Sequence, residues 1–341
     1  VFSSGWTLEA AEGVCAGSGL ESVDVLGLLT HLVDKSLVVV DDQAETVRYR
    51  MLETIRQYAR EKLVDAGEVE NIRNRHLKYF LGLSEQAETA LRGPAQAEWF
   101  VRLEDELDNI RAALEWADKN NAVEAGLYIF GRLGRFWYYD LREGQRWAER
   151  FIWQAESNTY PRARIKALNM QGYILDHMEQ SALARSAGEE CLALCRVCGD
   201  RHGEVDALIL LGFIAGKTDV ELLRQALALS KTLGDVRRQA DALLALGWDH
   251  GDPQRARAYW EEAVALFRKL EDWGSLIGGL SALGWYILLN GDIETAQELL
   301  DEALAVNQRF KNRVRSEWII MSDGRIALMR GDYEQARSFL Q

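Results

Sequence analysis

The chain has 341 residues, with 40 Lys and Arg against 53 Asp and Glu, for a net charge of −13. That length suits about two domains, and the acidic balance disfavours a nucleic-acid surface spread over the whole molecule, though not a local basic patch. No apolar run approaches the roughly twenty residues of a membrane span. Val1-Phe2-Ser3-Ser4-Gly5 offers neither a basic leader nor an initiating methionine, so the chain reads as a cytoplasmic piece cut at both ends from something longer.

The first elements differ from all that follow. Thr7 is placed to cap a short helix over 8–16, with Glu9 favourable in its first turn. A second helix over 23–35 presents Val25, Leu26, Leu29, Leu32 and Val33 as its apolar face. The period then changes to two: Leu37-Val38-Val39-Val40 and Val47-Arg48-Tyr49-Arg50-Met51 flank a polar tip over 41–46, a hairpin signal. A helix over 53–66 ends at Gly67. Helix, helix, hairpin, helix is the order of a winged helix that lacks most of its first helix. Its second helix has Lys35 as its only cation, beside Asp24 and Asp34. Arg48, Arg50, Arg56, Arg60 and Lys62 place positive charge instead on the wing and the following helix.

Here a family resemblance becomes specific. The runs GWTLEAAEGVC, LVDKSLVVV and YRMLETIRQYAREKL, with ETIRQYA the most characteristic, resemble the winged-helix segment of bacterial STAND-type signalling ATPases of the LuxR and AfsR kinds. The likeness continues through Leu91-Arg92-Gly93-Pro94 and LDNIRAAL (107–114) to about Trp147. It implies a nucleotide-binding module upstream, where ATP or ADP and Mg would bind, and repeats downstream. It also implies that the winged helix works in nucleotide-dependent autoinhibition, and that DNA is bound by a domain outside this chain.

Residues 70–119 read as two helices broken at Gly93-Pro94. Leu77, Phe80, Leu81, Ser84, Ala87 and Leu91 line the first; Trp99, Leu103, Leu107, Ile110 and Leu114 line the second. The resemblance makes this pair the helical arm. The cluster Glu104, Asp105, Glu106 and Asp108 is expected to be a solvated helix face, or else a contact for a basic partner.

From residue 123 onward the chain repeats itself. Phe151 to Gly172, Cys191 to Gly212, Ala226 to Gly247, Ala263 to Gly284 and Ala303 to Gly324 are each twenty-one residues apart. Gly251-Asp252, Gly291-Asp292 and Gly331-Asp332 recur every forty. Each unit is a helix pair unable to bury its apolar stripe alone, the signature of a solenoid. Five full units and a truncated sixth resemble the tetratricopeptide repeat. The expected fold is therefore all-α: a tetratricopeptide-like α-solenoid over 123–341, behind a helical arm over 68–122 and a truncated winged helix with a β-hairpin over 1–67.

The most informative candidate site is an aromatic ladder. Tyr173, Phe213, Trp248 and Trp285 each follow the small slot of a unit's first helix, and Arg135 and Arg325 hold that position at either end. Asn169, Ile209, Leu244 and Ser281 lie three residues before the slot. In the tetratricopeptide repeat both positions face the groove. Such a groove suits an apolar or aromatic ligand or an extended peptide; equally, the aromatics could pack between adjacent first helices.

Other motifs carry little. Gly212-Phe213-Ile214-Ala215-Gly216-Lys217-Thr218 imitates a phosphate loop but has three residues between its glycines instead of four, and it follows a helix instead of a strand. Cys191, Cys195, Cys198 and His202 share one helix face, but a straight helix would separate the first from the last by about 16 Å, too far for one ion; the alternative is a site of Cys195, Cys198 and His202 with the chain bent at Gly199. Cys191 also occupies a small core slot. His31, His76, His177 and His250 have no catalytic partner at a useful spacing. No nucleophile, base and oxyanion site assemble, so this chain is expected to be no enzyme and to hold no metal. The expectation is a sensor portion that receives an inducer (a peptide, a protein or a small molecule) and acts on the upstream ATPase module. The alternative is a constitutive protein–protein scaffold.

Overall fold

A computed structural model describes residues 1–309 except 18, 42–45, 139, 155–158, 215–217 and 250, and beyond 309 only 324, 327, 328, 331–334 and 337. Contacts gather the chain into two compact units, one formed by 1–88 with 100–167, the other by 89–99 with 168–341.

The first unit opens with α1 (Leu8–Cys15), and Thr7 caps it by accepting from the Ala10 N–H. Then come α2 (Ser22–Asp34), strands β1 (Val39–Asp41) and β2 (Arg48–Arg50), and α3 (Glu53–Asp65). The strands pair antiparallel with Val40 opposite Tyr49, and Trp6 bridges to Tyr49 from outside the hairpin. The hairpin is narrower than the apolar run implied. Ser36 turns through positive φ, and the N–H groups of Leu37 and Val38 both donate to Leu32, ending α2 before a ladder can begin. On α2 only Val25 and Leu29 are buried; Leu26, expected on the apolar face, is 47% exposed.

After α4 (Val69–Ala90) the arm continues as α5 (Gln96–Asp105) and α6 (Leu107–Lys119), three helices where two were expected. The extra break falls at Glu106, whose carboxylate turns inward to Arg48 and Asn109. Then follow α7 (Val123–Arg132), α8 (Gly134–Trp137), α9 (Leu141–Gln154) and α10 (Pro161–His177), which runs on into the second unit.

In the second unit α12 (Arg201–Gly212) pairs with α13 (Val220–Thr232), α14 (Val236–Leu246) with α15 (Pro253–Leu270), and α16 (Trp273–Leu289) with α17 (Ile293–Arg309), while α10 and α11 (Ser181–Cys198) share an apolar cluster through Leu175 and Ala184. Each helix from α12 to α17 begins at an aspartate whose side chain accepts a backbone N–H three residues on: Asp200, Asp219, Asp235, Asp252, Asp272 and Asp292. Such caps satisfy one of the open donors at each helix start. The small slots are sterically required. A Cβ on Gly247 would lie 2.2 Å from Nε1 of Trp260, and one on Gly212 would lie 2.6 Å from Leu223. The partner slots Cys191, Ala226, Ala263 and Ala303 are wholly buried. The molecule is thus a tetratricopeptide-like α-solenoid with an N-terminal winged-helix segment containing a β-hairpin. No helix of the described residues is long and apolar enough to cross a membrane.

Candidate ligand groove

The first helix of each pair presents one line of side chains at helical spacing. On α12 it is His202, Asp206 and Ile209, with Phe213 just past the helix end; on α14 it is Arg237, Asp241 and Leu244, with Trp248 two residues past the end; on α16 it is Gly274, Gly278, Ser281 and Trp285. The slot glycine lies beside the last residue of each line, because there the second helix of the pair packs closest.

Tyr173, Phe213, Trp248 and Trp285 are all half-buried. Tyr173, Phe213 and Trp248 each pack against the apolar cluster of their own region. The ladder is also laterally continuous: the ring of Phe213 lies 6.1 Å from that of Trp248, and Trp248 meets Trp260 edge-on at 5.2 Å. Trp260 continues to Tyr286 at 5.3 Å and donates its indole N–H to the Leu244 carbonyl. Offset and edge contacts of this kind favour aromatic pairs beyond the area they bury. Phe213 and Trp248 therefore serve the inter-helix core while remaining half-buried, and Trp260 lies wholly within it.

Sequence reasoning missed Trp260 and Tyr286. Trp260 had a signal: it stands three residues before Ala263, where Leu223 and Leu300 stand before Ala226 and Ala303, and all three face a slot glycine. Two positions expected to face the groove are core instead. Ile209 belongs to the cluster around Leu223 and Ala226, and Ser281 is fully buried with its hydroxyl donating to Ile277. Asn169 is half-buried, and its Oδ1 is enclosed without a hydrogen-bond partner. Arg135 lies half-buried on α8, in the first unit, while the ladder belongs to the second. Arg325 lies outside the described residues, as do Lys217 and His250.

The opposite end of the ladder lines is charged. Arg238 grips Asp206 through Nε and Nη2 at 2.8 and 2.7 Å, and Asp235 through Nη1 at 2.7 Å. Burial opposes its charge, yet the two carboxylates hold it firmly protonated. His202 is committed here, with Nδ1 2.9 Å from Asp235. The cysteines lie apart from it in function: Cys191 and Cys195 are buried, and their mutual hydrogen bond and burial push the Cys191 thiol up. Among the described residues no group of three His, Cys, Asp or Glu is placed to hold a metal.

The first unit contains a polar junction that the sequence did not reveal. Asn109 is fully buried; its Oδ1 accepts from Ser3 N–H at 2.8 Å, and its Nδ2 donates to Gly5 and to Glu106. Arg48 of β2 reaches Glu106 at 2.6 Å and the carbonyls of Gly5 and Asp105. Glu106 is thus no part of a solvated face, although Glu104, Asp105 and Asp108 are exposed. Burial raises the Glu106 carboxyl against the pull of Arg48. Beside it Arg111 holds Glu143 in a two-point pair at 2.7 and 2.5 Å, which lowers that carboxyl, and Trp147 donates to the same group. Arg56 pairs with Glu53 and with the Ser3 carbonyl, and Lys62 with Asp65. Three of the five cations read as a local positive patch are therefore neutralised within the chain.

Residues 1–64 match the winged helix-turn-helix domain family. The putative HTH-type transcriptional regulators Rv0890c of Mycobacterium tuberculosis and Mb0914c of Mycobacterium bovis are each 32% identical over 337 residues, covering 94% of this chain and 34% of theirs. The chain thus spans about a third of the length of these curated relatives. Among solved structures, a Rap protein complexed with Competence and Sporulation Factor superposes with a TM-score of 0.56 at 14% identity, over 78% of this chain and 85% of that one. The STAND protein PH0952 of Pyrococcus horikoshii, with a tetratricopeptide repeat sensor, matches at a TM-score of 0.48 and 14% identity, over 99% of this chain and 60% of that one.

Proposed function

We propose that this chain is the regulatory, ligand-receiving part of a larger transcriptional regulator, and that the ladder face of its solenoid receives the inducer. The observation that carries this reading is the aromatic ladder: Tyr173, Phe213, Trp248 and Trp285 recur at the same repeat position and are all half-buried, the first three packed against apolar clusters. Large rigid aromatics held this way are the residues that dominate binding surfaces. The regulator names of the relatives and the Rap complex with its factor support a sensing role and a peptide or protein as ligand.

The finer reading is that of a STAND switch. An ATPase module outside this chain holds ATP or ADP with Mg, the chain itself performs no catalysis, and inducer binding shifts a closed form toward an open one. Such a shift requires tighter binding to the open form. DNA is bound through a domain elsewhere in the regulator: α2 carries Asp24 and Asp34 against Lys35, and Arg48, Arg56 and Lys62 are already paired.

The test uses the intact regulator and a reporter gene under its control. Truncating a binding aromatic costs about 2 kcal/mol, roughly a thirtyfold loss of affinity. Trp248→Ala and Trp285→Ala should therefore each remove most of the inducer response. An unchanged dose-response with a thermal midpoint lowered by the same substitutions would assign both residues to the core alone and end this reading.

A further inference from the structure

We infer that the cavity between α1 and α4 in the first unit is a binding site for a small carboxylate with an apolar body. It is distinct from the repeat ladder, which belongs to the second unit. The cavity measures about 410 Å³, a size usual for small-molecule sites. All its lining residues fall within 1–88, so the site is complete inside one unit.

Two glycines shape it. The helices touch where Arg75 donates to the Ala16 carbonyl at 2.6 Å, and where the Tyr79 ring would lie 2.7 Å from a Cβ on Gly13. One turn further along α4, a Cβ on Gly82 would meet nothing within 4 Å, and there the wall opens. Buried Leu83 and half-buried Tyr79 supply an apolar floor. Lys78 and Gln86 line the same wall; both are exposed, and neither has a hydrogen-bond or ion-pair partner among the described residues. They stand eight residues apart on α4, about 12 Å along the helix. Unlike an enclosed core atom, each of these polar groups is open to an incoming ligand.

Charge decides what fits. Arg75 and Lys78 bring two positive charges to the lining, and Glu9 brings one negative. The Glu9 carboxylate is already held by Arg102 at 2.7 Å, and Arg102 also hydrogen-bonds Tyr79. A ligand carboxylate therefore meets a net positive wall and takes a charge-assisted hydrogen bond from Lys78, whereas an amine is repelled. The apolar body, one ring or a short chain, lies over Leu83 and Tyr79 toward the Gln86 carboxamide. A ligand seated there touches both the winged-helix segment and the arm, and gives the first unit an input of its own.

The probe is phenylbutyrate, titrated calorimetrically into the full 341-residue chain at low salt. It should bind saturably, one per chain. Phenylbutylamine, with the same body and the opposite charge, and inorganic phosphate, with no body, should each bind weaker by about tenfold or more. Gly82→Leu fills the cavity and should weaken phenylbutyrate by a similar factor. Its thermal midpoint should stay unchanged or rise, since leucine is the better helix former. Lys78→Glu should reverse the preference between acid and amine. Full affinity in Gly82→Leu, an unaltered preference in Lys78→Glu, or no saturable binding at millimolar phenylbutyrate would each overturn the site. Binding lost on Trp248→Ala instead would overturn it too, by placing the ligand on the ladder.

Discussion

The winged-helix segment and the repeat pairs are both built largely from helices, yet they bury those helices very differently. On α16 ten residues are buried, and on α12 nine. On α3 none is buried, and on α2 only two, while Val23, Leu28, Leu52, Tyr58 and Val64 are all exposed. A repeat helix meets its neighbours within a few dozen residues of chain, so each pair carries its own complement of packing. The contrast shows that burial follows the partner surface a helix finds nearby and not the strength of its own apolar periodicity.

The largest effect that would sharpen this comparison lies where the winged-helix segment is well held. Asn109→Ala strips partners from Ser3, Gly5 and Glu106 in a buried setting. It should cost about 3 kcal/mol in a urea titration, since unpaired buried groups keep their desolvation penalty. Next comes the repeat slot. Gly247→Ala drives a methyl into the Trp260 indole, which the Leu244 carbonyl holds in place, so a loss of about 2 kcal/mol is expected from overpacking. A neutral result at Gly247 would mean that the repeat core yields more easily than its contacts imply.

Acid provides a third probe. His76 lies buried between Phe2 and Phe80, and burial lowers its pKa to about 3. The unfolded imidazole titrates near 6.5, so the native state binds fewer protons below that pH. The stability His76 confers is present above about 6.5 and lost as pH falls, by at most about 1.4 kcal/mol per unit. Urea midpoints at pH 7.5 and 5.5 should show that slope, and His76→Phe should flatten it. The smallest effect has the opposite sign. Gly27 sits mid-helix on α2 with nothing within 4 Å of an added Cβ. Gly27→Ala should stabilise by about 0.5–1 kcal/mol through backbone entropy alone. A loss there would show that the open face of α2 is packed after all.

Much of this was legible in the chain. The twenty-one-residue interval located every described slot, and Gly247 against Trp260 shows why it is kept: no side chain fits where the two helices of a pair touch. The cap of Thr7 on the first helix was also legible; the aspartate caps of the repeat helices, though an equally local device, were not read from the sequence. Three features depended on the third dimension. Glu106 looked like its exposed neighbours until Arg48, 58 residues away, turned it inward. Ser281 and Leu244 occupy equivalent repeat positions, yet one is fully enclosed and the other half-open. The partly paired fork of Arg237 arises because Asp241 of its own helix and Asp272, the cap of α16, each reach only part of it. Local spacing sets where helices begin, end and touch their sequence neighbours. Burial, charge pairing and unused hydrogen-bond capacity depend on groups brought together from distant positions, and no periodicity encodes those.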